Sequence, residues 1–312
     1  MTKPRTLFMG TPAFALPALE QLYTHGYPVI GVVTQPDRPQ GRGQKEIAPP
    51  VKLRAQKLAL PVFQPGSIKD PSFLEIFYKL KPEIIVVAAF GQILPKSIID
   101  FPPLKCLNIH PSLLPKYRGA APINWAIIHG ETKTGVTIML MDEGMDSGDI
   151  VLQQQTKIDN TETYGELHDR LAVSGAALLM EAIDRMAAGT ALRQPQDASL
   201  VTFAPRLKKE TGRINWRFDA GAIVNLIRGL SPVPAAYTFL EGQTLKIFRA
   251  EAQQSQPDDA PGTIGPETDR GLSVATADGR VFLKEVQLAG KNKMTIHKFL
   301  RGHRLKPGTV LQ

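Results

Sequence analysis

The segment Thr6-Leu7-Phe8-Met9-Gly10-Thr11-Pro12 predicts the start of an α/β fold. Its apolar run, Thr6–Met9, is too short for a signal sequence or a membrane span and is typical of a first β-strand. Thr11 is a suitable helix N-cap, and Pro12 suits the first helical position because the N–H that proline lacks would have no partner there. We therefore expect a strand followed directly by a helix.

The same alternation continues through the first half of the chain. Short apolar runs are separated by helical patterns, and several runs are apolar at successive positions, as in buried parallel strands. The pattern predicts a mostly parallel sheet covered by helices. The further predicted strands are Val29–Thr34, Val62–Phe63, Ile84–Ala89, Leu107–His110 and Val136–Met141.

A long helix and a change of composition divide the chain. Thr163-Tyr164-Gly165-Glu166 matches a capping box, and apolar spacing predicts a helix from Glu166 to Ala188. Residues 189–205, which include Gln194-Pro195-Gln196-Asp197, have little periodicity and are predicted to form a linker. The predicted domains are residues 1–188 and 206–312.

Beyond residue 205 the pattern changes to short strands separated by turns. A helix is predicted near Ala220–Gly229, and Glu241-Gly242 and Asp278-Gly279 are typical of β-hairpins. This region is predicted to be a small antiparallel barrel. Its predicted strands are Ala236–Leu240, Leu245–Arg249, Leu272–Ala275 and Val281–Val286.

Charge is distributed unevenly. Residues 1–205 hold 20 Lys and Arg against 19 Asp and Glu, whereas residues 206–312 hold 17 against 10. Nearly all of the net charge of +8 therefore lies in the last third of the chain. Such a domain suits a polyanionic partner or simply has a basic surface, and charge alone leaves both readings open.

The only cysteine, Cys106, allows no internal disulfide, so we expect a cytoplasmic protein. Cys106 has no pattern of metal ligands or nucleophile around it and is expected to be a small buried side chain. Gly10–Phe14 lies where a dinucleotide fingerprint would lie, but it holds one glycine where the fingerprint needs three, so no nicotinamide cofactor is expected.

The most specific stretch runs from Asn108 to Gly119, directly after a predicted strand. Asn108 and His110 are two residues apart and share one face of that strand, which would place an amide donor beside an imidazole. This pair suits an oxyanion that develops on a carbonyl group, although such a pair by itself is more often structural. Ligands of open α/β sheets bind at the carboxyl ends of strands, where this stretch begins.

A second segment, Met141–Asp149, follows another predicted strand and carries four carboxylates. Because it too leaves a strand, we expect it at the same edge of the sheet, where one carboxylate could pair with His110. Asp142, Glu143 and Asp149 are each expected to be solvated or capping groups. Asp146 is selected only by the resemblance described next.

Asn108, His110, the stretch Ser112–Gly119 and the Asp146 loop resemble the active-site signature of the 10-formyltetrahydrofolate-dependent formyltransferases. The similarity spans essentially the full length and departs at Pro111, where some members have glycine. Further segments resemble the members that act on methionyl-tRNA. These are Gln35–Gly43, Gly119–Ile123 and Arg213–Trp216.

The resemblance implies a Rossmann-like catalytic domain followed by an oligonucleotide-binding-like barrel, with Asn108, His110 and Asp146 as catalytic residues. It also implies 10-formyltetrahydrofolate as the formyl donor, initiator methionyl-tRNA as the acceptor, and no metal. The folate-binding residues that it implies are Phe90, Gly91, Ile93, Leu94, Ser112, Leu113, Leu114 and Pro115.

The loop Gln35–Pro49 is predicted to contact the tRNA, because it follows the second strand and its basic residues outnumber its acidic ones. The resemblance implies that this loop contacts the acceptor stem, and the residues selected for that contact are Arg38, Arg42 and Lys45. The alternative is an ordinary exposed loop.

We expect the protein to be a monomer.

Two other functions are compatible with parts of this pattern. A formyltransferase of the same fold could act on an amino-sugar nucleotide or on glycinamide ribonucleotide, but such small substrates give no reason for a separate domain of charge +7. A non-catalytic RNA-binding protein would need the charge but would have no need of Asn108, His110 and Asp146. Formyl transfer to methionyl-tRNA separates these cases.

Overall fold

The computed structural model describes residues 2–40, 45–256, 259–306 and 308–312. The chain forms two units, each with its own core, which we call the N-terminal and the C-terminal unit. The N-terminal unit comprises Met1–Gly119, Thr134–Thr156 and His168–Phe203. The C-terminal unit comprises Ala120–Lys133, Lys157–Leu167 and Ala204–Gln312.

The first 190 residues contain the predicted alternation of strands and helices. The strands are β1 (Thr6–Gly10), β2 (Val29–Val33), β3 (Arg38–Gln40), β4 (Lys45–Ile47), β5 (Val62–Phe63), β6 (Ile84–Ala88), β7 (Cys106–His110), β8 (Lys133–Leu140) and β9 (Ile150–Lys157). The helices are α1 (Leu16–Thr24), α2 (Pro50–Lys57), α3 (Pro71–Leu80), α4 (Lys96–Ile99), α5 (Pro122–Ile128) and α6 (Tyr164–Ala187).

Seven of these strands form one sheet in the order β5-β2-β1-β6-β7-β8-β9. The pairs from β5 to β7 are parallel, and β8 is antiparallel to β7. Every residue of β1 and of β6 is buried, which explains their apolar character at successive positions. The predicted mostly parallel α/β sheet is confirmed. The strand β9 was not predicted, because its Gln153-Gln154-Gln155 run gives no apolar pattern.

The start of the first helix differs from the prediction. Pro12 precedes a 3-10 turn at Ala13–Ala15, and α1 begins only at Leu16. Thr11 is not an N-cap, and its hydroxyl instead donates to the carbonyl of Phe90 at 2.8 Å and accepts from the backbone N–H of Gln35 at 3.4 Å. Segments that are distant in the chain thus bind the oxygen that a local cap would use.

Beyond residue 204, the described part of the C-terminal unit contains an antiparallel sheet and two α-helices. The elements are α7 (Ala220–Leu230), β10 (Ala236–Leu240), β11 (Gln243–Gln254), β12 (Ile264–Thr268), β13 (Gly271–Ala275), β14 (Gly279–Leu288), β15 (Met294–Thr295) and α8 (Ile296–Gly302). The strand order is β10-β11-β14-β13-β12, and β15 pairs with β14. Glu241 and Gly242 both have positive φ in the two-residue turn between β10 and β11, which confirms the predicted hairpin there.

The last residues of the chain close this sheet. Leu311 donates to the carbonyl of Gly262 beside β12, and Gln312 exchanges two backbone hydrogen bonds with Phe239 of β10. The two edge strands are therefore joined through one extended segment, which satisfies edge groups that would otherwise be open. The predicted antiparallel barrel is confirmed.

The two units are not simple consecutive ranges of sequence. Residues 168–203, which include most of the predicted linker, belong to the N-terminal unit, whereas residues 120–133 belong to the C-terminal unit. The division into residues 1–188 and 206–312 rests on sequence pattern and stays a prediction. Among the described residues, no helix combines the length and the apolar character needed to cross a membrane.

The predicted capping box at the start of α6 is present. The backbone N–H of Thr163 donates to the Glu166 carboxylate at 2.8 Å, and the hydroxyl of Thr163 lies 3.5 Å from the Glu166 backbone nitrogen. The bond from the Thr163 backbone lowers the pKa of Glu166. The stability that this carboxylate contributes is therefore present above its ordinary pKa of 4.5 and is lost as the pH falls.

We expect Thr163→Ala to lower the free energy of unfolding by about 1 kcal/mol, because the first turn of α6 loses its capping hydroxyl. Thr163→Ser keeps that hydroxyl and is the matched control, which should stay close to wild type. Urea unfolding followed by circular dichroism measures both. Equal stability of the alanine and serine variants would contradict a capping role for this hydroxyl.

Candidate active site

His110 is the last residue of β7 and is only 4% exposed. Its Nε2 lies 3.0 Å from the carbonyl oxygen of Tyr117, and its Nδ1 lies 3.5 Å from Oδ2 of Asp146. Both ring nitrogens therefore face a defined oxygen. Asn108, two residues earlier on the same strand, is partly buried.

The partner at Nε2 constrains how His110 is protonated. A carbonyl oxygen only accepts hydrogen bonds, so a bond to Tyr117 requires the proton on Nε2. In the neutral ring Nδ1 is then an acceptor, and in the imidazolium both nitrogens donate. Any proton that the ring gains or loses is consequently exchanged at Nδ1, the nitrogen nearest Asp146.

Asp146 is held in an uncommon backbone conformation. Its φ of 49° lies in the left-handed region, which residues other than glycine seldom adopt. Its Oδ2 accepts a hydrogen bond of 2.8 Å from the backbone N–H of Gly119. One carboxylate oxygen thus lies between Gly119 and the ring of His110.

The loop that carries Asp146 does not leave the sheet where the sequence led us to expect. Because β8 is antiparallel to β7, Met141 lies beside Cys106, at the amino end of β7, and its N–H donates to the Cys106 carbonyl. The expected common edge is therefore wrong for this loop. The segment from Met141 has to return toward the carboxyl end of β7 for Asp146 to reach His110.

The other carboxylates of this loop lie elsewhere. Asp142 is exposed and accepts hydrogen bonds from the backbone of Gly144 and from the hydroxyl of Ser147. Glu143 is exposed, and Asp149 is partly buried. Of the four carboxylates in Met141–Asp149, Asp146 is the one that an ion-pair distance joins to His110.

The loop Ser112–Pro115 is held by two side chains of neighbouring strands. The buried hydroxyl of Thr137 on β8 donates to the Ser112 carbonyl at 2.7 Å and accepts from the Leu114 N–H at 3.2 Å. Gln153 on β9 donates to the Leu114 carbonyl at 2.7 Å and to the Thr137 hydroxyl at 2.9 Å. Sequence reasoning missed Thr137 and Gln153, because their partners are backbone atoms far away in the chain.

Four folate-binding residues are predicted on this loop. Ser112 and Leu114 are buried, while Leu113 and Pro115 are partly exposed. The Ser112 hydroxyl donates to the Lys116 carbonyl at 2.6 Å, so the loop is also tied to itself. Leu113 and Pro115 are therefore the members of this group with surface that a ligand could contact.

The other folate-binding residues implied by the resemblance lie in the loop after β6, where the pterin would bind, and β6 is parallel and adjacent to β7. This loop therefore leaves the sheet at the same end as His110. Phe90 and Leu94 are buried in the core, whereas the side chain of Ile93 is 84% exposed. Gly91 has a φ of 90°, a conformation that suits glycine. Ile93 offers apolar surface at this edge, with Phe90 and Leu94 beneath the loop.

The segment predicted to contact tRNA contains a short hairpin of β3 and β4, in which Arg38 pairs with Ile47. Its base is anchored by Gln64, which donates to the Gln35 carbonyl at 2.9 Å and to Asp37 at 2.7 Å. Hydrogen bonds from Gln64 and then from Lys52 lower the pKa of Asp37.

Of the three basic residues predicted to contact tRNA, the structure describes the side chain of Arg38. Arg38 is exposed and donates to Oε1 of Gln35 at 2.9 Å. Arg42 lies outside the described residues, as does the side chain of Lys45. Their predicted role in contacting tRNA stays a prediction.

Cys106 is fully buried, which confirms the expected small core side chain, and burial raises the pKa of its thiol. Across the described ranges, no group of three or more His, Cys, Asp or Glu side chains is arranged to hold a metal ion.

Comparison with known proteins defines the class. A formyl transferase family model matches residues 5–183, and a model for the formyl transferase C-terminal domain matches residues 206–304. Methionyl-tRNA formyltransferase of Syntrophus aciditrophicus is 58% identical over 311 residues, which cover 100% of both chains. The chain belongs to the methionyl-tRNA formyltransferase family, which confirms the resemblance found in the sequence.

Solved structures support the fold. An N-formyltransferase from Helicobacter canadensis, in complex with folinic acid and dTDP-3-aminofucose, has a TM-score of 0.67 at 20% identity and covers 93% of this chain and 100% of its own. HypX from Aquifex aeolicus has a TM-score of 0.65 at 19% identity over 98% of this chain, which spans only 49% of HypX. At such identities the likeness shows the fold alone.

We expect Thr137→Val to lower the free energy of unfolding by about 1–3 kcal/mol, because the Ser112 carbonyl and the Leu114 N–H would be left buried without their partner. Thr137→Ser retains the hydroxyl and should be nearer to wild type. Guanidinium unfolding of the two variants is the measurement. A valine variant as stable as the serine variant would show that this hydroxyl does not hold the loop.

Proposed function

We propose that this protein transfers the formyl group of 10-formyltetrahydrofolate to the α-amino group of methionine on initiator tRNA, which produces N-formylmethionyl-tRNA. The protein would act as a monomer in the cytoplasm. The observation that carries this proposal is the 58% identity, over the whole chain, with a methionyl-tRNA formyltransferase. The His110–Asp146 pair supports the same chemistry, because acyl transfer needs a proton carrier and a donor to an oxyanion.

The reaction requires stabilisation of a tetrahedral intermediate. The α-amino nitrogen bonds to the formyl carbon, whose oxygen becomes an oxyanion, and collapse breaks the bond between that carbon and N10 of the folate. The amine loses one proton and N10 gains one. The products are formylated methionyl-tRNA and tetrahydrofolate, so neither an oxidant nor a metal is needed to balance the step.

Asn108 and His110 would act on the formyl oxygen. The amide of Asn108 would donate to it, which typically contributes on the order of a hundredfold or more in rate, and the positive charge of a protonated His110 ring would polarise it. Because Nε2 of His110 is bonded to the Tyr117 carbonyl, proton exchange would occur at Nδ1. Asp146 would orient the ring there and assist the proton's passage from the amine through water.

The folate would lie at the carboxyl end of β6 and β7. The exposed side chain of Ile93 provides apolar surface for a pterin, and Gly91 permits close approach of the backbone. The partly exposed Leu113 and Pro115 would contact the ligand on the second loop. The set proposed to bind folate is Phe90, Gly91, Ile93, Leu94, Ser112, Leu113, Leu114 and Pro115.

The tRNA would be bound through positive charge. Residues 206–312 carry a net charge of +7, and the hairpin segment adds Arg38, Arg42 and Lys45. Each phosphate that Lys or Arg neutralises releases counterions, so affinity should fall as salt rises. The Gln64 and Lys52 bonds to Asp37 would hold the base of the hairpin while its basic residues contact the acceptor stem.

The test of this proposal is transfer of a radiolabelled formyl group from 10-formyltetrahydrofolate. Charged initiator methionyl-tRNA should be formylated, whereas uncharged initiator tRNA and glycinamide ribonucleotide should not. Formylation of glycinamide ribonucleotide or of an amino-sugar nucleotide in preference to methionyl-tRNA would overturn the proposed acceptor. RNA binding without any formyl transfer would overturn the proposed chemistry.

We expect Asp146→Asn to lower kcat about a hundredfold while folate binding stays close to wild type. The amide keeps the size of the side chain and can still accept from Gly119, but it cannot carry negative charge beside Nδ1 of His110. Asp142→Asn is the control, because Asp142 lies in the same loop, exposed to solvent. If Asp142→Asn proved as damaging as Asp146→Asn, or more so, the wrong carboxylate would have been chosen.

We expect Arg42→Ala to lower kcat/KM for methionyl-tRNA at least tenfold at physiological salt, with folding and folate binding retained, because a phosphate or base-edge contact is lost. Lys57→Ala removes one exposed positive charge from α2 and serves as the control. Kinetics at several salt concentrations separate a specific contact from a general charge effect. An unchanged kcat/KM for Arg42→Ala would remove Arg42 from the tRNA site.

A further inference from the structure

The segment predicted to be a linker packs against the candidate active site. Gln194 exchanges two backbone hydrogen bonds with Ile150, the first residue of β9, at 2.8 and 2.9 Å. This pairing places Gln196, two residues later, against the loop that ends at Ile150. That loop carries Asp146.

The side-chain amide of Gln196 uses its full hydrogen-bonding capacity at this position. Its Nε2 donates to the carbonyls of Asp146 and Gly148, both at 2.8 Å. Its Oε1 accepts from Nε and Nη2 of Arg118 at 3.0 and 2.8 Å. An amide has two N–H groups and two lone pairs, so all four are satisfied.

These four bonds join the two loops that meet at His110. The Asp146 loop is held through two of its carbonyls. The other loop is held through Arg118, which lies between Tyr117, whose carbonyl binds His110, and Gly119, whose N–H binds Asp146. Gln196 is thus bonded to the backbone of Asp146 and to Arg118, whose two chain neighbours bond to His110 and to the Asp146 carboxylate.

The rest of the segment strengthens the same connection. The Arg118 N–H donates to the Thr202 carbonyl at 2.9 Å, and the Tyr117 N–H donates to the Thr202 hydroxyl at 2.9 Å. The left-handed φ of Asp146 needs such support, because a residue with a Cβ seldom holds that conformation unless its surroundings fix it. The direct bond from Gln196 to the Asp146 carbonyl fixes the peptide at that residue.

We propose that Gln196 is a positioning residue for formyl transfer, which sets the Asp146 carboxylate relative to His110 by tying the two loops together. The inference rests on the proposed function, in which Asp146 acts on the ring. Gln196 would not touch the reacting atoms. Its loss should therefore affect the rate of the chemical step more than the binding of either substrate, since small misplacements of catalytic groups cost large factors in rate.

Three variants separate positioning from general stability. Gln196→Leu removes all four hydrogen bonds at similar size, and Gln196→Glu keeps the acceptors for Arg118 but loses both donors to the Asp146 loop. Gln194→Leu is the matched control, because Gln194 joins Ile150 through its backbone and its side chain is exposed. Each full-length variant is compared with wild type by thermal melting and by formylation of methionyl-tRNA.

We expect kcat to fall about ten- to a hundredfold in Gln196→Leu and Gln196→Glu, with KM for both substrates within about twofold of wild type. Gln194→Leu should match wild type. A variant of Gln196 that melts earlier but keeps wild-type kcat would overturn the proposal, as would a rise in KM without a fall in kcat.

A readout independent of turnover is the backbone amide of Gly119, observed by 15N NMR in wild type and in the same variants. Its bond to the Asp146 carboxylate should shift its proton downfield and slow its exchange with solvent. Both signatures should weaken in the two Gln196 variants and persist in Gln194→Leu. If they persist in the Gln196 variants too, the positioning role is wrong. If wild type transfers no formyl group, the proposed function fails, and the Gly119 signal still decides whether Gln196 places Asp146.

Discussion

The site depends on one shared oxygen, Oδ2 of Asp146, which accepts from the Gly119 backbone and lies 3.5 Å from Nδ1 of His110. Hydrogen bonds to charged groups contribute about 1.5–3 kcal/mol, more than neutral ones, so this oxygen is a strong point of attachment. It joins the end of β7, the loop that follows β7 and the loop that follows β8. Losing the geometry of any one of these would separate the carboxylate from the ring.

The parallel part of the sheet supplies the rigid base for this junction. The buried strands β1, β6 and β7 are paired in register, which brings the loops after Ala88 and His110 to the same end of the sheet. The loops themselves are then held by side chains such as Thr137 and Gln153, whose hydrogen bonds go to backbone groups. Backbone groups that are buried in loops need partners, and here side chains of β8 and β9 provide them.

In the C-terminal unit, the edge strands of the antiparallel sheet would have unpaired backbone N–H and C=O groups if nothing covered them. The segment Leu311–Gln312 bonds to both edges and closes the sheet. In the turn between β10 and β11, Glu241 and Gly242 both have positive φ. Because such turns favour dipeptides of this type, the hairpin could be recognised from the sequence. The position of the closing segment had no such local signal, because its partners, Gly262 and Phe239, are far away in the chain.

The sequence by itself determined the α/β class, the capping box at Thr163 and the hairpin at Glu241-Gly242, because each depends on residues close together in the chain. It also placed Asn108 and His110 on one face of a strand, whereas Asp146 was selected only by the family resemblance. Tertiary structure alone decided that β8 runs antiparallel to β7, that the Thr11 hydroxyl bonds to Phe90 instead of capping a helix, and that Gln196 of the predicted linker joins the Asp146 loop to Arg118. The physical reason is that a polar side chain takes whichever hydrogen-bond partner the folded chain brings to it. The local sequence pattern does not predict which groups from tens of residues away will contact a given side chain.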